Sequence, residues 1–188
     1  DLAKGHEFFE LEGKYVSPDN NWLAFSVDTL SRRFYTIYIK NLITGDILNH
    51  SIPNTEGDVA WANDNETIFY TTKNKTTLLS EKIYRHNIYT ESKEDVVVYQ
   101  EADNEFYIGV YRSKSGKYII IWNSSTLVSD YHILRSDDPE GEFINFTPRR
   151  NDHEYSIEHH NENFYIMTNW EAQNNRLMIT SESATNIS

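Results

Sequence analysis

The chain has 188 residues and a formal charge of −12 at neutral pH. Tyr (13) and Phe (9) are abundant while Gly (7) and Pro (4) are scarce, which favours strands, because aromatic side chains pack well on a pleated surface. The acidity argues against a nucleic-acid partner, and the absence of cysteine excludes thiol catalysis, disulfides and cysteine-ligated zinc.

The opening DLAKGHEFFE lacks the apolar core of an export signal. No apolar run approaches the roughly 18 residues a membrane helix needs. A reducing, cytoplasmic location is therefore expected, with no membrane partner. Asn-x-Ser/Thr sequons begin at Asn65, Asn74, Asn123 and Asn145. Without an export signal they are read as chance matches.

In chain order, the first unit runs KYV (Lys14), the turn SPDNN, WLAF (Trp22), FYTIYIKN (Phe34) and DILNHSI (Asp46). A tight turn is predicted at Thr44-Gly45-Asp46. The second unit runs DVAW (Asp58), NDNE, TIFY (Thr67), KIYRHNIY (Lys82) and DVVVY (Asp95). The third runs FYIGVY (Phe106), SKSGK, YIII (Tyr118), DYHILR (Asp130) and EFINF (Glu142). The fourth runs EYSIE (Glu154), HHNEN, FYIM (Phe164) and RLMIT (Arg176), and the polar TSESATNIS then offers no further strand.

The strands after the four turns recur at intervals of 45, 51 and 46 residues. Four short strands at a period of about 40–50 residues describe a β-propeller blade. A β-sandwich would explain short strands but not this recurrence. No segment sustains a 3.6-residue period, so almost no helix is expected. The fold class is thus all-β: a partial β-propeller of about four blades, each four-stranded and antiparallel, the last incomplete. The units fall near residues 14–52, 57–100, 106–147 and 154–188. Their uncovered faces predict self-association of the isolated chain.

A search for chemistry returns little. There is no Gly-x-Ser-x-Gly elbow, P-loop, dinucleotide fingerprint or His-Glu-x-x-His helix, so no catalytic residue and no cofactor are assigned. HEYSIEHH holds His153, Glu154, Glu158, His159 and His160. Strand alternation keeps Glu154, Ile157 and His159 from converging simply, and His159-His160 is placed in a solvated turn, so no metal is assigned. SRRF puts Arg32 and Arg33, and TPRRND puts Arg149 and Arg150, in connections between strands. Guanidinium pairs there are candidates for holding carboxylates of a substrate or a neighbouring domain; the other reading pairs each with a nearby acid. Asp137-Asp138, beside Pro139 and Gly141, reads as a β-turn. Trp22, Trp61, Trp122 and Trp170 are assigned to packing between blades.

VSPDNNWLAFSVD followed by SRRFYTIYIKNLITG resembles the opening of the propeller in the oligopeptidase B branch of the prolyl oligopeptidase family of serine peptidases. The likeness continues through VAWANDNETIFYTT, IYRHNI, EFYIGVYRSKSGKYIII, TPRRNDHEYSIEHH and FYIMTNWEAQNNRLM, covering roughly Gly5 to Met178. The resemblance implies a seven-bladed propeller capping a C-terminal α/β-hydrolase domain with a Ser-Asp-His triad. It implies cleavage of short peptides after Arg or Lys. None of the triad maps onto this chain, so the segment itself is expected to be inactive, its partners being the catalytic domain and, for the parent protein, short basic peptides. Tyr89 stands after IYRHNI where the family pattern has Gly, which would reshape a hairpin. A free-standing propeller-like scaffold for a protein partner is the alternative reading.

Overall fold

The computed structural model describes residues 2–185. Fourteen strands and one short 3-10 turn at Ser92–Glu94 make up the secondary structure of these residues. No helix among them is long and apolar enough to cross a membrane.

The strands are β1 (Glu10–Val16), β2 (Trp22–Asp28), β3 (Tyr35–Asn41), β4 (Ile52–Trp61), β5 (Thr67–Lys73), β6 (Ser80–Asn87) and β7 (Val96–Gln100). They continue as β8 (Tyr107–Arg112), β9 (Tyr118–Ser124), β10 (Ser129–Arg135), β11 (Ile144–Asn145), β12 (Tyr155–His160), β13 (Asn163–Thr168) and β14 (Arg176–Ser181). Every pairing is antiparallel between neighbours in sequence, giving sheets β1–β7, β8–β11 and β12–β14. The all-β propeller arc expected from the repeat is what the chain forms.

Two details depart from uniform four-stranded units. Ile52–Trp61 is one ten-residue strand that pairs with β3 at one end and β5 at the other, so the ladder runs on from the first unit into the second. The register shifts between Thr55 and Val59, where Gly57 takes φ +102°. A Cβ there would press on the Tyr35 ring, so glycine serves both the bulge and the close approach. DILNHSI supplies only an isolated bridge, Lys40 to Ile47, before β4 begins, because Gly45 and Asp46 close a tight turn onto Asn41. At the other end β12–β14 has three strands among the described residues; residues 186–188 of the polar tail lie outside them.

The turns that revealed the repeat share one construction. Asn20, Asn65, Gly116 and Asn161 each take a left-handed φ, each two residues ahead of the following strand. Asn and Gly tolerate that region best. In the first three, the residue three places earlier closes the turn from its amide: Ser17 to the Trp22 carbonyl, Ala62 to Thr67 and Ser113 to Tyr118.

Alternation along the strands gives each sheet two faces, and apposed faces form three cores. The first joins Ala24, Ile37 and Ile39 to Val59, Trp61, Ile68 and Tyr70. The second joins Phe69 and Ile83 to Ile108, Val110, Ile119 and Ile121. The third joins Tyr118, Ile120, Ile133 and Phe146 to Tyr155, Ile157, Phe164 and Ile166. Trp61 is buried, as blade packing requires, and its indole N–H donates to the Tyr15 carbonyl at 2.8 Å. Trp122 lies opposite Gly109, whose missing Cβ leaves room for the indole. Trp170 departs from that pattern: it sits half-exposed in the β13–β14 loop under the Arg150 guanidinium.

Candidate functional site

Antiparallel meanders put alternate connections at opposite ends, so the arc has two rims. The β1–β2, β4–β5, β8–β9 and β12–β13 turns lie on one. Polar contacts tie them in series: the Asp19 amide donates to Asn65 Oδ1 at 2.9 Å, Arg112 donates to Asn63, and the Lys114 amide donates to Glu158 at 3.0 Å. The opposite rim carries the β2–β3, β5–β6, β9–β10 and β13–β14 loops together with the crossovers between units.

All four candidate arginines lie on that second rim, but in different states. Asp28 is buried at the end of β2, where its carboxylate accepts the amides of Leu30, Arg32 and Arg33 at 2.7–2.8 Å. Burial pushes this carboxyl up, yet the amides of Leu30, Arg33, Arg32 and Ser31 outweigh it and hold it below the usual range. The loop is therefore wound around a fixed anion, with Ser31 and Arg33 at positive φ. Its two guanidinium groups project outward, exposed, and neither has a hydrogen bond or ion pair among the described residues. Beside them Lys73 donates to the Arg33 carbonyl at 2.8 Å and pairs with Glu56 at 2.9 Å.

Arg149 is engaged at the surface by acids of the fold, its side chain a third exposed. Its guanidinium binds Asp130 and Glu101, the latter at 2.6 Å, and lies 3.7 Å from the Phe106 ring centroid. Burial lowers its affinity for the proton, but the bonds to Glu101 and Asp130 prevail and raise it. Glu101 answers in kind: burial raises its carboxyl, and Arg149 and the Asp103 amide pull it below normal. The side chain clamps the β7–β8 crossover to β10. Arg150 stacks over Trp170 at 4.8 Å. No hydrogen bond or ion pair links Arg32 or Arg33 to Arg149 among the described residues.

The histidine cluster differs from its expected placement. His159 and His160 belong to β12, not a solvated turn, because the reversal falls at Asn161-Glu162. His159 is fully buried, with Nδ1 2.8 Å from Ser115 Oγ and Nε2 3.2 Å from Glu182. His153 is buried against Tyr155, with Nε2 3.0 Å from Thr168 Oγ1. Burial depresses both imidazoles; Lys117 adds to this for His159 while Glu182 opposes it, and Arg150 adds to it for His153. Asp137-Asp138 forms the turn the sequence suggests, with Arg135 chelating Asp137. Tyr89, in place of the family glycine, rests edge-on against Trp22 at 6.1 Å.

One recurrent feature of the second rim escaped the repeat search. Thr29-Leu30, Thr77-Leu78 and Thr126-Leu127 are the same dipeptide in three corresponding loops, and each leucine is exposed. A polar loop with one apolar residue is an available signal; strand-centred periodicity passes over it. Beside the last of these loops a cleft of about 700 Å³ is lined by Leu127, by Tyr107 at the start of β8 and by residues of the flanking crossovers, among them Glu105 and Asp152.

Comparison with known proteins fits this geometry. The family model described as "Prolyl oligopeptidase, N-terminal beta-propeller domain" matches residues 1–186. Dipeptidyl aminopeptidase BI of Pseudoxanthomonas mexicana is 36% identical over 96% of the chain and 25% of its own length. Protease 2 of Moraxella lacunata is 29% identical over 95% of the chain and 26% of its length. Oligopeptidase B from Leishmania major superposes with a TM-score of 0.89 at 25% identity, over 97% of this chain and 26% of that one. The chain thus spans about a quarter of the length of the curated relatives it matches. The chain belongs to the prolyl oligopeptidase family, as part of its N-terminal β-propeller domain.

Proposed function

We propose that this chain is the gating propeller segment of an oligopeptidase B-like serine endopeptidase that cleaves short peptides after Arg or Lys. The observation that carries the proposal is the match to the family's propeller over residues 1–186 in a chain that folds as a propeller arc. In this role the segment restricts substrates by size and holds them near a triad contributed by a C-terminal hydrolase domain. The segment alone is inactive. Residues 14–52, 57–100, 106–147 and 154–188 correspond to successive blades. The net charge of −12 has a use here, since an acidic wall concentrates cationic peptides through an attraction that salt weakens. Arg32 and Arg33, exposed and without an acid partner among the described residues, are the rim contacts to carboxylates. Arg149, already clamped by Glu101 and Asp130, is the weakest of the four candidates.

A second reading draws on the 36% identity to a dipeptidyl aminopeptidase: release of dipeptides from a free N-terminus. One assay series separates the possibilities. The native polypeptide carrying this segment is labelled with a fluorophosphonate and sized, then offered Arg- and Lys-containing peptides with free or blocked N-termini. A labelled species far heavier than 22.1 kDa that cleaves blocked peptides after Arg or Lys supports the endopeptidase. Release of dipeptides from peptides with free N-termini alone supports the dipeptidyl aminopeptidase reading. An unlabelled species near 22.1 kDa replaces both with a free-standing binding scaffold.

A further inference from the structure

Beside the first interface lies a groove that the propeller reading leaves unused. It runs between the start of β4 and one face of β5 and β6, with a volume of about 360 Å³, the scale of a small-molecule site. Pro53, in β4, lacks the amide hydrogen that would extend the ladder over it. Tyr70 pairs with Tyr84 and Thr72 with Lys82 across β5 and β6, so these four side chains share the face that lines the groove. The two tyrosine rings stack with centroids 5.6 Å apart. Tyr70 is fixed in turn, its hydroxyl donating to Asp95 at 2.7 Å, and Asp95 meets His86 Nδ1 at 2.6 Å. Lys73, its side chain only 9% exposed, is held by Glu56 and by the Arg33 carbonyl. The wall is thus set by folding, and a ligand has little left to order.

The charge of the groove runs against that of the chain. Acidic side chains outnumber basic ones 29 to 17, yet Lys73, Lys75 and Lys82 line this hollow and Glu81 is the acid beside them. Glu56 answers Lys73, and Glu81 is engaged by Asn74 Nδ2 at 3.0 Å. Lys75 and Lys82 have no hydrogen bond or ion pair among the described residues, and neither do the side chains of Asn54 and Ser92 on the same lining. On the rim of recurrent turns, by contrast, the polar side chains are spent on each other: Asp19 binds Ser17 and Asn21, and Asp64 binds Thr67. Two ammonium groups, an amide and a hydroxyl therefore remain as donors around one hollow. A carboxylate brings two oxygens and a single charge to such a set. A phosphoryl group brings three acceptor oxygens and up to about two charges, which matches it, and lysine binds phosphate as a point charge.

We propose that this groove binds a small phosphorylated ligand, its phosphoryl group held by Lys75 and Lys82 and the rest of the molecule lying against Tyr84. The site goes beyond the peptidase reading and does not depend on it. The net charge of −12 repels an anion at long range, so recognition is local, within roughly the 8 Å over which charges act at physiological salt. The lining joins the start of β4, which pairs with the first unit, to β5 and β6 of the second. Occupancy therefore ties the two units together and stabilises the folded state by linkage.

Titration of inorganic pyrophosphate into the full-length protein, at constant ionic strength, tests the site by calorimetry and by the thermal midpoint. The expected result is saturable binding with a rising midpoint, and an affinity lowered at least about tenfold in K75E/K82E. K4E/K114E makes the same change in net charge at exposed lysines outside the groove, and it keeps the parent affinity. K75Q/K82Q removes the two ammonium groups without adding acid; it also loses affinity, and it carries the test where the charge-reversed variant does not fold. No saturable binding by the parent, an undiminished affinity in K75Q/K82Q, or an equal loss in K4E/K114E overturns the assignment. Fluorophosphonate labelling of the same sample reports on the peptidase reading separately.

Discussion

The first and third interfaces of the arc solve the same packing problem by different means. In the first, the backbone itself crosses between units: β4 pairs with β3 and β5, and the core it joins is built from Ile37, Ile39, Val59, Ile68 and Trp61. The third has no shared strand. Its two sheets meet through rings, with Phe164 among Tyr118, Phe146 and His159 at centroid distances of 4.7–5.0 Å. Ser129 Oγ adds a bond to the Tyr155 carbonyl at 2.7 Å, and His159 reaches Ser115. A ladder distributes its energy over many backbone bonds, whereas a side-chain interface concentrates it in a few residues. The third interface is thus the more easily broken by single substitutions and by pH.

The largest contrast comes from the ring at its centre. Phe164→Ala is expected to cost about 3–5 kcal/mol, because a fully buried phenylalanine leaves a cavity that its aromatic neighbours cannot fill. Ile37→Ala in the first interface, where the shared ladder stays intact, is expected to cost about 2 kcal/mol, the low end for truncating a buried isoleucine to alanine. Urea denaturation of the two variants checks the pair, and comparable losses would dissolve the distinction.

Asp58 gives the next effect, at the second interface. Its buried carboxylate accepts the Val110 amide at 2.8 Å from the neighbouring sheet and the Thr71 hydroxyl at 2.7 Å from its own. Asp58→Ala strands both donors, at about 1–3 kcal/mol each. Burial raises this carboxyl in spite of those bonds. Asp58→Asn is therefore expected to be milder than Asp58→Ala in a thermal melt.

Acid sharpens the comparison between the first and third interfaces. Burial holds His153 and His159 below their ordinary imidazole range, so the folded state binds fewer protons than the unfolded one. The stability they contribute is complete above the unfolded pKa of about 6.5 and is lost as pH falls below it, toward the folded values. Glu182 opposes the shift at His159 and Lys117 reinforces it; Arg150 reinforces it at His153. Hydrogen exchange should show β12 and β13 losing protection below about pH 6.5 before β2 and β3 do. Simultaneous loss would assign acid sensitivity elsewhere.

Smaller effects separate turns from surface. Asn161→Ala removes the short polar side chain that lets asparagine adopt a left-handed turn and is expected to cost about 1 kcal/mol, whereas Asn161→Gly is tolerated. Lys93→Ala removes an exposed pair with Glu91 and should lie within about 0.5 kcal/mol of the parent in the same melt.

Much of this was legible in advance because a blade is a local object. Each strand is announced by alternating apolar residues, and each recurrent turn by an Asn or Gly at the left-handed position, so spacing alone exposed the units. The arginine pairs were visible as chemistry but not as states. Arg32 and Arg149 look alike in sequence, and only the fold places Glu101 and Asp130 around one of them, from positions 48 and 19 residues away. His159 was misplaced for a similar reason. A polar pair ahead of Asn161-Glu162 reads as part of the turn, while the strand in fact runs through it to bury one imidazole between two sheets.

The sequence by itself determined the strands, the turns, the class of fold and the family, since these follow from periodicity and residue type over stretches of about ten residues. The tertiary structure alone decided which charges are spent and which are free, where units share a strand, and on which rim the three Thr-Leu loops assemble. Those outcomes depend on contacts between residues remote in sequence, whose energies are set by burial and mutual distance and leave no local pattern to read.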